Sequence, residues 1–151
     1  MENFVEYPIR TLTLVKDYEV IAHFKNGDVK RYDFRKIINE LKPLKPLAED
    51  YELFSQIHLS PGGYGIIWNE DLDLEAEELW YEGEDVDSPF RDLMAFPDAE
   101  ETWGLKPSAL RKAVQYKRFT VGEDVMHFGK QWVITKKAME REYGPEPRQA
   151  E

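Results

Sequence analysis

Two short helical signals separated by a glycine, with a hairpin signal behind them, constrain the last third of this chain more than any other feature. The first signal begins at Pro97 and carries acidic residues in its first turn. This suits a helix N-terminus, because proline fixes φ and the helix dipole favours anions there. Gly104 marks its end, and Pro107 begins a second helix predicted to run to Lys117. The pattern therefore predicts two helices joined by a tight turn.

The second predicted helix has one apolar and one polar face. Leu110, Ala113 and Val114 share the apolar face and are expected to pack inward. Lys117 lies on the same face and can extend its charged end to solvent. Side chains on the other face are of the types that bind base edges or phosphates, and we expect them to enter a major groove of DNA. These side chains are Ser108, Arg111, Lys112 and Gln115.

A β-hairpin is predicted after the second helix. β-branched and aromatic residues at 119–121 and 131–134 flank a segment rich in turn residues, including Gly129, which is typical of two strands joined by a turn. Within this hairpin, Lys130 and Gln131 are expected to reach an adjacent DNA groove or strand.

A last helix is predicted over 136–143. Thr135 suits its N-cap because its hydroxyl can accept a hydrogen bond from a free backbone N–H. Gly144, followed by Pro145, stands at the expected exit of the helix.

Positive charge gathers in this part of an otherwise acidic chain. The 151 residues carry 20 Lys and Arg against 30 Asp and Glu; 9 of these bases and 20 of these acids lie in residues 1–88. Between Gly104 and Arg118 there are five bases and no acid, which is the expected footprint of phosphate binding even in an acidic protein. Within this run we expect Lys117 and Arg118 to contact phosphates.

Three short motifs in this order resemble those of the excisionase-like, MerR-related winged helix-turn-helix family. They are Thr-Trp-Gly-Leu at 102–105, Leu-Arg-Lys-Ala at 110–113 and Phe-Gly-Lys-Gln-Trp-Val-Ile-Thr at 128–135. The resemblance covers the last third of the chain. It implies a DNA-binding regulator, often dimeric, that has no chemistry of its own and uses the hairpin as its wing. The DNA partner would be an operator, which we expect near the protein's own gene.

Two positions differ from the pattern of that family. Lys106 stands where the family usually has Ser or Thr to cap the second helix, which is expected to weaken the cap by about 1 kcal/mol. Glu100 stands where the family has a small apolar residue in the first helix. Its carboxylate is therefore expected near the contact between the two helices unless it turns to solvent.

The first half of the chain has the pattern of a small sheet covered by a helix. β-prone runs at 9–14 and 20–24 precede Asn-Gly at 26–27, which is the strongest short-range signal for a hairpin. A helix is expected over 35–41, where apolar residues recur at helical spacing, with Asp33 as its cap. The helix should cover the sheet.

Two further strands and a short helix are predicted after this helix. The strands, at 53–59 and 65–69, flank Ser-Pro-Gly-Gly at 60–63, which we interpret as a hairpin loop. Leu-Asp-Leu at 72–74 then precedes a short helix over 75–81.

Motifs in this region resemble the bacterial domain of unknown function 2442. They are Val-Lys-Arg-Tyr-Asp-Phe at 29–34, Ile-Ile-Trp at 66–68, Leu-Asp-Leu at 72–74 and the Leu-Trp pair at 79–80 in a short acidic helix. The resemblance covers about residues 7–83. It implies a small α+β domain that occurs alone or fused to a helix-turn-helix module, often in gene pairs suggestive of toxin and antitoxin. It supplies no catalytic residues.

Together these signals predict an α+β chain in which a small antiparallel-sheet α+β domain is followed by a winged helix-turn-helix domain. We place the first domain at 1–83 and the second at 91–144. The acidic segment 84–90 is predicted to be a linker because it has few apolar groups to bury, and 145–151 a flexible tail.

Composition and spacing argue against several classes of function. The chain has no cysteine, which excludes disulfide scaffolds, thiolate catalysis and Cys-ligated zinc. No apolar run is long enough for a membrane span or signal peptide, so we expect a cytoplasmic protein without membrane contact. The acidic group at 70–78 lacks calcium-loop spacing, His58 lacks a triad partner, and the loop at 60–65 lacks the Lys-Ser or Lys-Thr of a phosphate cradle. We therefore expect no enzyme activity, no catalytic residue, no metal and no cofactor.

Two functions of different classes agree with these patterns. In the first, the C-terminal module binds an operator as a transcriptional regulator, with a homodimer as a candidate form, while the acidic N-terminal domain senses a signal or binds a protein partner. An antitoxin is one version of this hypothesis, with the acidic domain covering a basic toxin. In the second, the chain is a protein-interaction module, and the basic helix never meets nucleic acid.

Overall fold

The computed structural model describes residues 5–147 and divides into two compact units. We call Glu6–Phe24 together with Val29–Ser88 the N-terminal unit. The described part of Pro89–Glu151, together with residue 5 and Lys25–Asp28, is the C-terminal unit. Helices and antiparallel strands occur in both, so the predicted α+β class is confirmed.

The described residues form ten strands and seven α-helices, numbered here along the chain, and two 3-10 helices, Lys42–Leu44 and Pro61–Gly63. The strands are β1 (Ile9–Lys16), β2 (Glu19–Phe24), β3 (Val29–Asp33), β4 (His58–Leu59), β5 (Gly65–Asn69), β6 (Leu72–Glu75), β7 (Glu84–Asp85), β8 (Leu93–Ala95), β9 (Val125–Phe128) and β10 (Gln131–Thr135). The helices are α1 (Arg35–Glu40), α2 (Lys45–Glu49), α3 (Tyr51–Phe54), α4 (Ala76–Glu82), α5 (Phe96–Trp103), α6 (Ala109–Gln115) and α7 (Lys136–Tyr143). None of these helices has the length and apolar character needed to cross a bilayer.

The larger sheet of the N-terminal unit has the antiparallel order β1-β2-β3-β7. The predicted hairpin between β2 and β3 is confirmed: Gly27 has φ +96°, a conformation that favours glycine. One prediction needs correction, because the acidic segment predicted as a linker from residue 84 begins with β7. Lys30 pairs with Asp85 in the sheet, and its Nζ lies 3.3 Å from the Asp85 carboxylate. Backbone pairing and this ion pair hold a segment that has few apolar groups to bury.

Aromatic side chains form the centre of the N-terminal core. Phe34, which precedes α1, lies 5.5 Å by ring centroids from both Phe54 and Trp68. The Trp68 indole N–H donates to the Phe54 carbonyl oxygen at 3.1 Å, so its polar atom is satisfied inside the core. The predicted helix over 35–41 is present one residue shorter. Its N-cap residue is Phe34 rather than the predicted Asp33, although the Asp33 carboxylate accepts from the Arg35 backbone N–H at 2.9 Å.

The predicted strand at 53–59 is wrong over most of its length. Residues 51–54 form α3 instead, because the Asp50 carboxylate accepts from the Leu53 backbone N–H at 3.1 Å and caps that helix. Helical turns over this region bury Leu47 and Phe54 in the core. Only His58–Leu59 is extended, and it forms the edge strand β4 of a second sheet, β4-β5-β6.

The loop at 60–63 joins β4 to β5, as predicted, and brings Gly63 against the first strand of the larger sheet. Gly63 has φ +77°, and a Cβ at this position would collide with the carbonyl oxygen of Ile9. The neighbouring Gly62 has φ +83°, but a Cβ there would meet only the ring of Tyr64. Gly63 is therefore required by a contact between two distant chain segments as well as by the turn.

In the C-terminal unit, the sheet β8-β10-β9 packs with α5, α6 and α7 around one apolar core. The Trp103 indole N–H donates to the Gly144 carbonyl oxygen at 2.9 Å and so joins the end of α5 to the end of α7. The predicted last helix is confirmed with the bounds 136–143, and the Thr135 hydroxyl accepts from the Ala138 backbone N–H at 3.1 Å. The core residues are Met94, Phe96, Ala99, Trp103, Leu110, Ala113, Phe119, Val125, Ile134, Ala138 and Met139.

A hairpin is present, but its first strand is not the predicted one. It is β9 (Val125–Phe128), whereas residues 119–121 lie in a loop in which Val121 makes a single isolated bridge to Val125. Asp124 closes this loop, since its carboxylate accepts from the Thr120 backbone N–H at 2.9 Å and its own N–H donates to the Thr120 carbonyl at 2.8 Å. Residues 119–121, whose types favour a strand, are therefore part of a loop.

Asp124 also makes the stability of the C-terminal unit sensitive to acid. Arg141 donates two hydrogen bonds to its carboxylate, at 3.1 and 2.9 Å, and this lowers the pKa of Asp124. A carboxyl group with a lowered folded pKa stabilises the fold above its unfolded pKa of about 4 and loses that contribution as the pH falls. Asp124→Asn should therefore unfold more easily than wild type at neutral pH.

Denaturant unfolding of wild type and Asp124→Asn from about pH 7 to about pH 3 measures this difference. We expect the gap in free energy of unfolding to stay constant above the usual carboxyl pKa and to narrow below it. Arg141→Gln should show the same narrowing, because it removes the partner. A gap that is unchanged across the whole range would contradict the assignment.

Candidate nucleic-acid interface

The two predicted helices of the C-terminal unit are present as α5 and α6. Gly104 ends α5 in the left-handed conformation with φ +71°. The second helix is shorter than the predicted 107–117, because Ser108 and Lys117 also take positive φ values, +71° and +62°. Such values interrupt a right-handed helix, so α6 contains only residues 109–115.

The cap of α6 comes from α5. The Glu100 side chain is only 7% exposed, and its Oε2 accepts from the Leu110 backbone N–H at 3.0 Å. Ser108 makes no side-chain cap bond. The carboxylate therefore satisfies a donor that the first turn of a helix leaves free, and its charge suits the helix N-terminus. The N-cap residue of α6 is Ser108 rather than the expected Lys106, and Glu100 of α5 supplies the side-chain acceptor that Ser108 does not.

Glu100→Ala is expected to loosen the start of α6. Losing a capping acceptor costs about 0.5–2 kcal/mol. Hydrogen exchange of the α6 backbone amides, with Leu110 observed individually, measures this locally and should show faster exchange. Glu100→Gln is the matched control, because its amide oxygen can still accept from Leu110. Equal protection in Glu100→Ala and wild type would mean that the cap contributes nothing.

The polar face of α6 matches the prediction except at its end. Leu110 and Ala113 are buried, whereas Arg111, Lys112 and Gln115 are exposed. Lys117 was predicted to share the apolar face of the helix, but it lies beyond the helix end. Its backbone N–H donates to the Val114 carbonyl at 3.0 Å. Lys117 is exposed in the segment that leaves α6, next to the equally exposed Arg118.

A groove of about 530 Å³ brings half of the predicted residues together. The start of α6 contributes Ser108 and Arg111, and the hairpin contributes Lys130 and Gln131. The other predicted residues, Lys112, Gln115, Lys117 and Arg118, do not line it. The groove also contains residues to which the sequence patterns assigned no role in binding, and these are Phe96, Pro97, Glu100, Pro107, Phe128 and Trp132.

Aromatic packing sets the position of the hairpin beside α5. The rings of Phe96 and Trp132 stack with centroids 5.6 Å apart and planes 19° apart. His127 is the cross-strand partner of Trp132, and the centroids of the two rings lie 4.1 Å apart. No charge or spacing signal marks these residues as part of a groove, because the contact joins segments more than thirty positions apart.

Two other bases of the C-terminal unit are engaged by carboxylates. Arg141 is held by Asp124. The Lys136 ammonium lies 3.6 Å from Asp28 and 3.3 Å from Glu146. Burial lowers the pKa of Lys136, but these neighbouring carboxylates raise it above its usual value overall. Exposed bases of this unit lie in α6, in the segment after it and at the hairpin turn, and also at Arg91, Lys106 and Lys137.

The N-terminal unit has a cleft of a different character, with a volume of about 760 Å³. Tyr32 lies at its wall and donates to the Glu78 carboxylate at 2.7 Å; burial and the Glu78 charge raise the pKa of this phenol. Across residues 5–147, no group of three or more His, Cys, Asp or Glu side chains is arranged to hold a metal ion. The carboxylates that line the cleft are Glu19, Asp33, Glu40, Glu78, Glu82 and Glu84.

Comparison with known families divides the chain in the same order. Residues 9–85 match the model of a protein family of unknown function, DUF2442. Residues 84–148 match the model of a helix-turn-helix domain. Searches of curated proteins and of solved structures found no match. The resemblance of the first half to DUF2442 is thereby confirmed, and that of the last third is confirmed as far as a helix-turn-helix domain.

Proposed function

Since this chain belongs to the DUF2442 family and carries a helix-turn-helix domain, we propose that it is a DNA-binding transcriptional regulator without enzymatic activity. The observation that carries the proposal is the groove at which the start of α6 meets the hairpin. It gathers Ser108, Arg111, Lys130 and Gln131, which come from two segments separated by a loop. Helix-turn-helix domains place such a helix in the major groove, where its side chains contact base edges.

In this proposal the domain acts as a winged helix-turn-helix, with β9 and β10 as the wing. Arg111 and Gln115, one helical turn apart and both exposed, contact bases or backbone together with Ser108 and Lys112. Lys117 and Arg118 contact phosphates after the helix ends. Lys130 and Gln131 reach the adjacent groove from the wing. The Glu100 carboxylate occupies the N-terminus of α6, so the helix dipole there is not available to bind a DNA phosphate.

The N-terminal unit is proposed to bind a protein partner or to sense a signal. Its cleft is lined by six carboxylates and by the side chains of Arg31 and Lys36. Such a surface steers the approach of a basic protein, and a basic toxin is one such partner. An antitoxin that represses its own promoter through the C-terminal unit is a version of the same proposal. The proposed location is the cytoplasm, where operator DNA is present.

A protein-interaction module is the second candidate, and the overall charge favours it. The chain carries a formal charge of −10, which repels phosphates at distances below the Debye length of roughly 8 Å at physiological salt. In this alternative the basic face of α6 docks on an acidic protein.

Fluorescence anisotropy of the full chain with DNA from upstream of its own gene tests the choice. If the five bases Arg111, Lys112, Lys117, Arg118 and Lys130 neutralise phosphates, the plot of log affinity against log salt should have a slope of about −4.5. Binding with such a slope supports the regulator. The absence of binding at low salt would reject it in favour of the interaction module.

A homodimer belongs to the proposal, because one small module contacts too few bases for useful specificity. Two copies would bind two half-sites about 34 Å or a multiple of that apart. Sedimentation of the protein with and without the bound duplex measures the stoichiometry. Saturation at one chain for each DNA site would remove the dimer from the proposal.

A further inference from the structure

We propose that Phe128 is a wedge that enters a base step from the minor groove, so that binding of the C-terminal unit kinks the DNA. This inference rests on the proposed function, because Phe128 lines the same groove as Arg111 and Lys130. It adds a deformation of the DNA to the contacts described above.

The position of Phe128 is the first argument. It is the last residue of β9 and pairs with Gln131, so that Gly129 and Lys130 form a two-residue turn between them. Gly129 has φ +68°, as the first central residue of a type II′ hairpin turn has, and a Cβ added there would meet no atom within 4 Å. The hairpin therefore ends in a narrow tip in open space. The minor groove of B-DNA is about 6 Å wide, and narrow elements with an apolar side chain are what proteins insert into it.

Exposure is the second argument. The Phe128 side chain is 76% exposed, and it is not among the residues that build the core of the C-terminal unit. Its neighbour Trp132, by contrast, is half-buried against Phe96. The Phe128 ring can therefore move from solvent to a position between stacked bases without disturbing the core. Insertion would bury apolar area that the free protein leaves in solvent.

The surrounding charge is the third argument, and it favours a nucleic acid over an apolar protein surface. Arg111 and Lys130 line the groove beside Phe128 and are suited to the phosphates on either side of an opened step. The carboxylate that lines the groove, Glu100, is buried and accepts from the Leu110 backbone N–H. An apolar tip flanked by cations is the arrangement with which proteins unstack and bend a duplex.

DNA bending by the full-length protein tests the wedge. The probes are end-labelled duplexes of about 30 base pairs, three helical turns, from the region upstream of its own gene. The mobility of circularly permuted fragments carrying the same sequence in native gels reports the bend, and anisotropy on the short duplexes reports affinity. Wild type should bend the duplex by at least about 20°. It should also bind a duplex with one abasic site about tenfold more tightly than the intact duplex, because the missing base lowers the cost of unstacking.

Phe128→Ala should lose both the bend and the preference for the duplex with the abasic site. Phe128→Leu, which keeps an apolar wedge, should retain the bend. Met126→Ala is the matched control. Met126 is also exposed, on the same strand and face, but lies about 7 Å from the tip and should not affect bending. Unchanged thermal unfolding of all three variants establishes that they fold.

Four results would overturn the wedge. Binding without a bend, or an equal bend by Phe128→Ala, rejects it while leaving the proposed DNA-binding function in place. Equal loss of self-association by Phe128→Ala and Met126→Ala in sedimentation would assign this strand to contacts between copies of the chain. The absence of binding to every duplex at low salt would reject both the wedge and the proposed function.

Discussion

Arg111→Glu together with Lys112→Glu is expected to lower the affinity of the full-length protein for upstream DNA by about 100-fold or more, because a specific contact to a base is worth about 1–3 kcal/mol and reversal adds repulsion. Both side chains are exposed on α6, so the substitutions leave the core of the C-terminal unit untouched. Anisotropy titration at fixed salt measures the loss, and circular dichroism verifies the fold.

The control for this variant must change the total charge by the same amount. Lys42→Glu with Lys45→Glu does so, since both residues are exposed in the N-terminal unit. We expect this control to weaken DNA binding only slightly, through long-range repulsion that salt screens. Equal weakening by the two double variants would mean that DNA responds to net charge alone, and the assignment of α6 would be wrong.

Gly63→Ala is expected to destabilise the N-terminal unit by about 3 kcal/mol. Left-handed backbone costs a residue with a Cβ about 1–2 kcal/mol, and overpacking a rigid site adds about 1–3 kcal/mol. The obstacle is the Ile9 carbonyl, which belongs to the backbone of β1 and cannot rotate away as a side chain would. Denaturant unfolding, followed by tryptophan fluorescence to which the buried Trp68 contributes, measures the change.

Gly62→Ala is the natural control, because it has nearly the same φ but a different obstacle. A Cβ there would meet the Tyr64 ring, which is partly exposed and can turn aside. The expected cost is the backbone strain alone, about 1–2 kcal/mol. If both variants lost the same free energy of unfolding, the close approach of the Ile9 carbonyl to Gly63 would contribute nothing to the loss of stability.

Much of the candidate site was predictable because its signals are local. Pro97, Gly104 and the apolar spacing of Leu110 and Ala113 specify two helices and a turn through restricted φ values and one-sided burial. Arg111 could be identified as exposed from the same spacing. The exact extent of α6 could not be predicted, because Ser108 and Lys117 take left-handed conformations that their residue types do not favour.

Other parts of the structure depend on backbone hydrogen bonds that strand propensity does not reveal. Asp50 turns residues predicted as strand into helix α3 by capping it, and Asp124 draws residues 119–121 into a loop. Propensity alone favoured strands at both places, but hydrogen bonds to the backbone outweighed it. The short strand β7 likewise exists because β3 offers it an edge.

By itself, the sequence determined the order of the two domains, the Asn-Gly hairpin, the helix-turn-helix arrangement and the final helix capped by Thr135. In each case turn residues, caps and periodicity act within a few positions of one another. Only the tertiary structure decided that Glu100 caps α6 and that the Ile9 carbonyl lies too close to residue 63 for any side chain but that of glycine. It also decided that the exposed Phe128 lines the same groove as Arg111. These are contacts between segments brought together by burial of the core, and such contacts leave no period or motif in the chain.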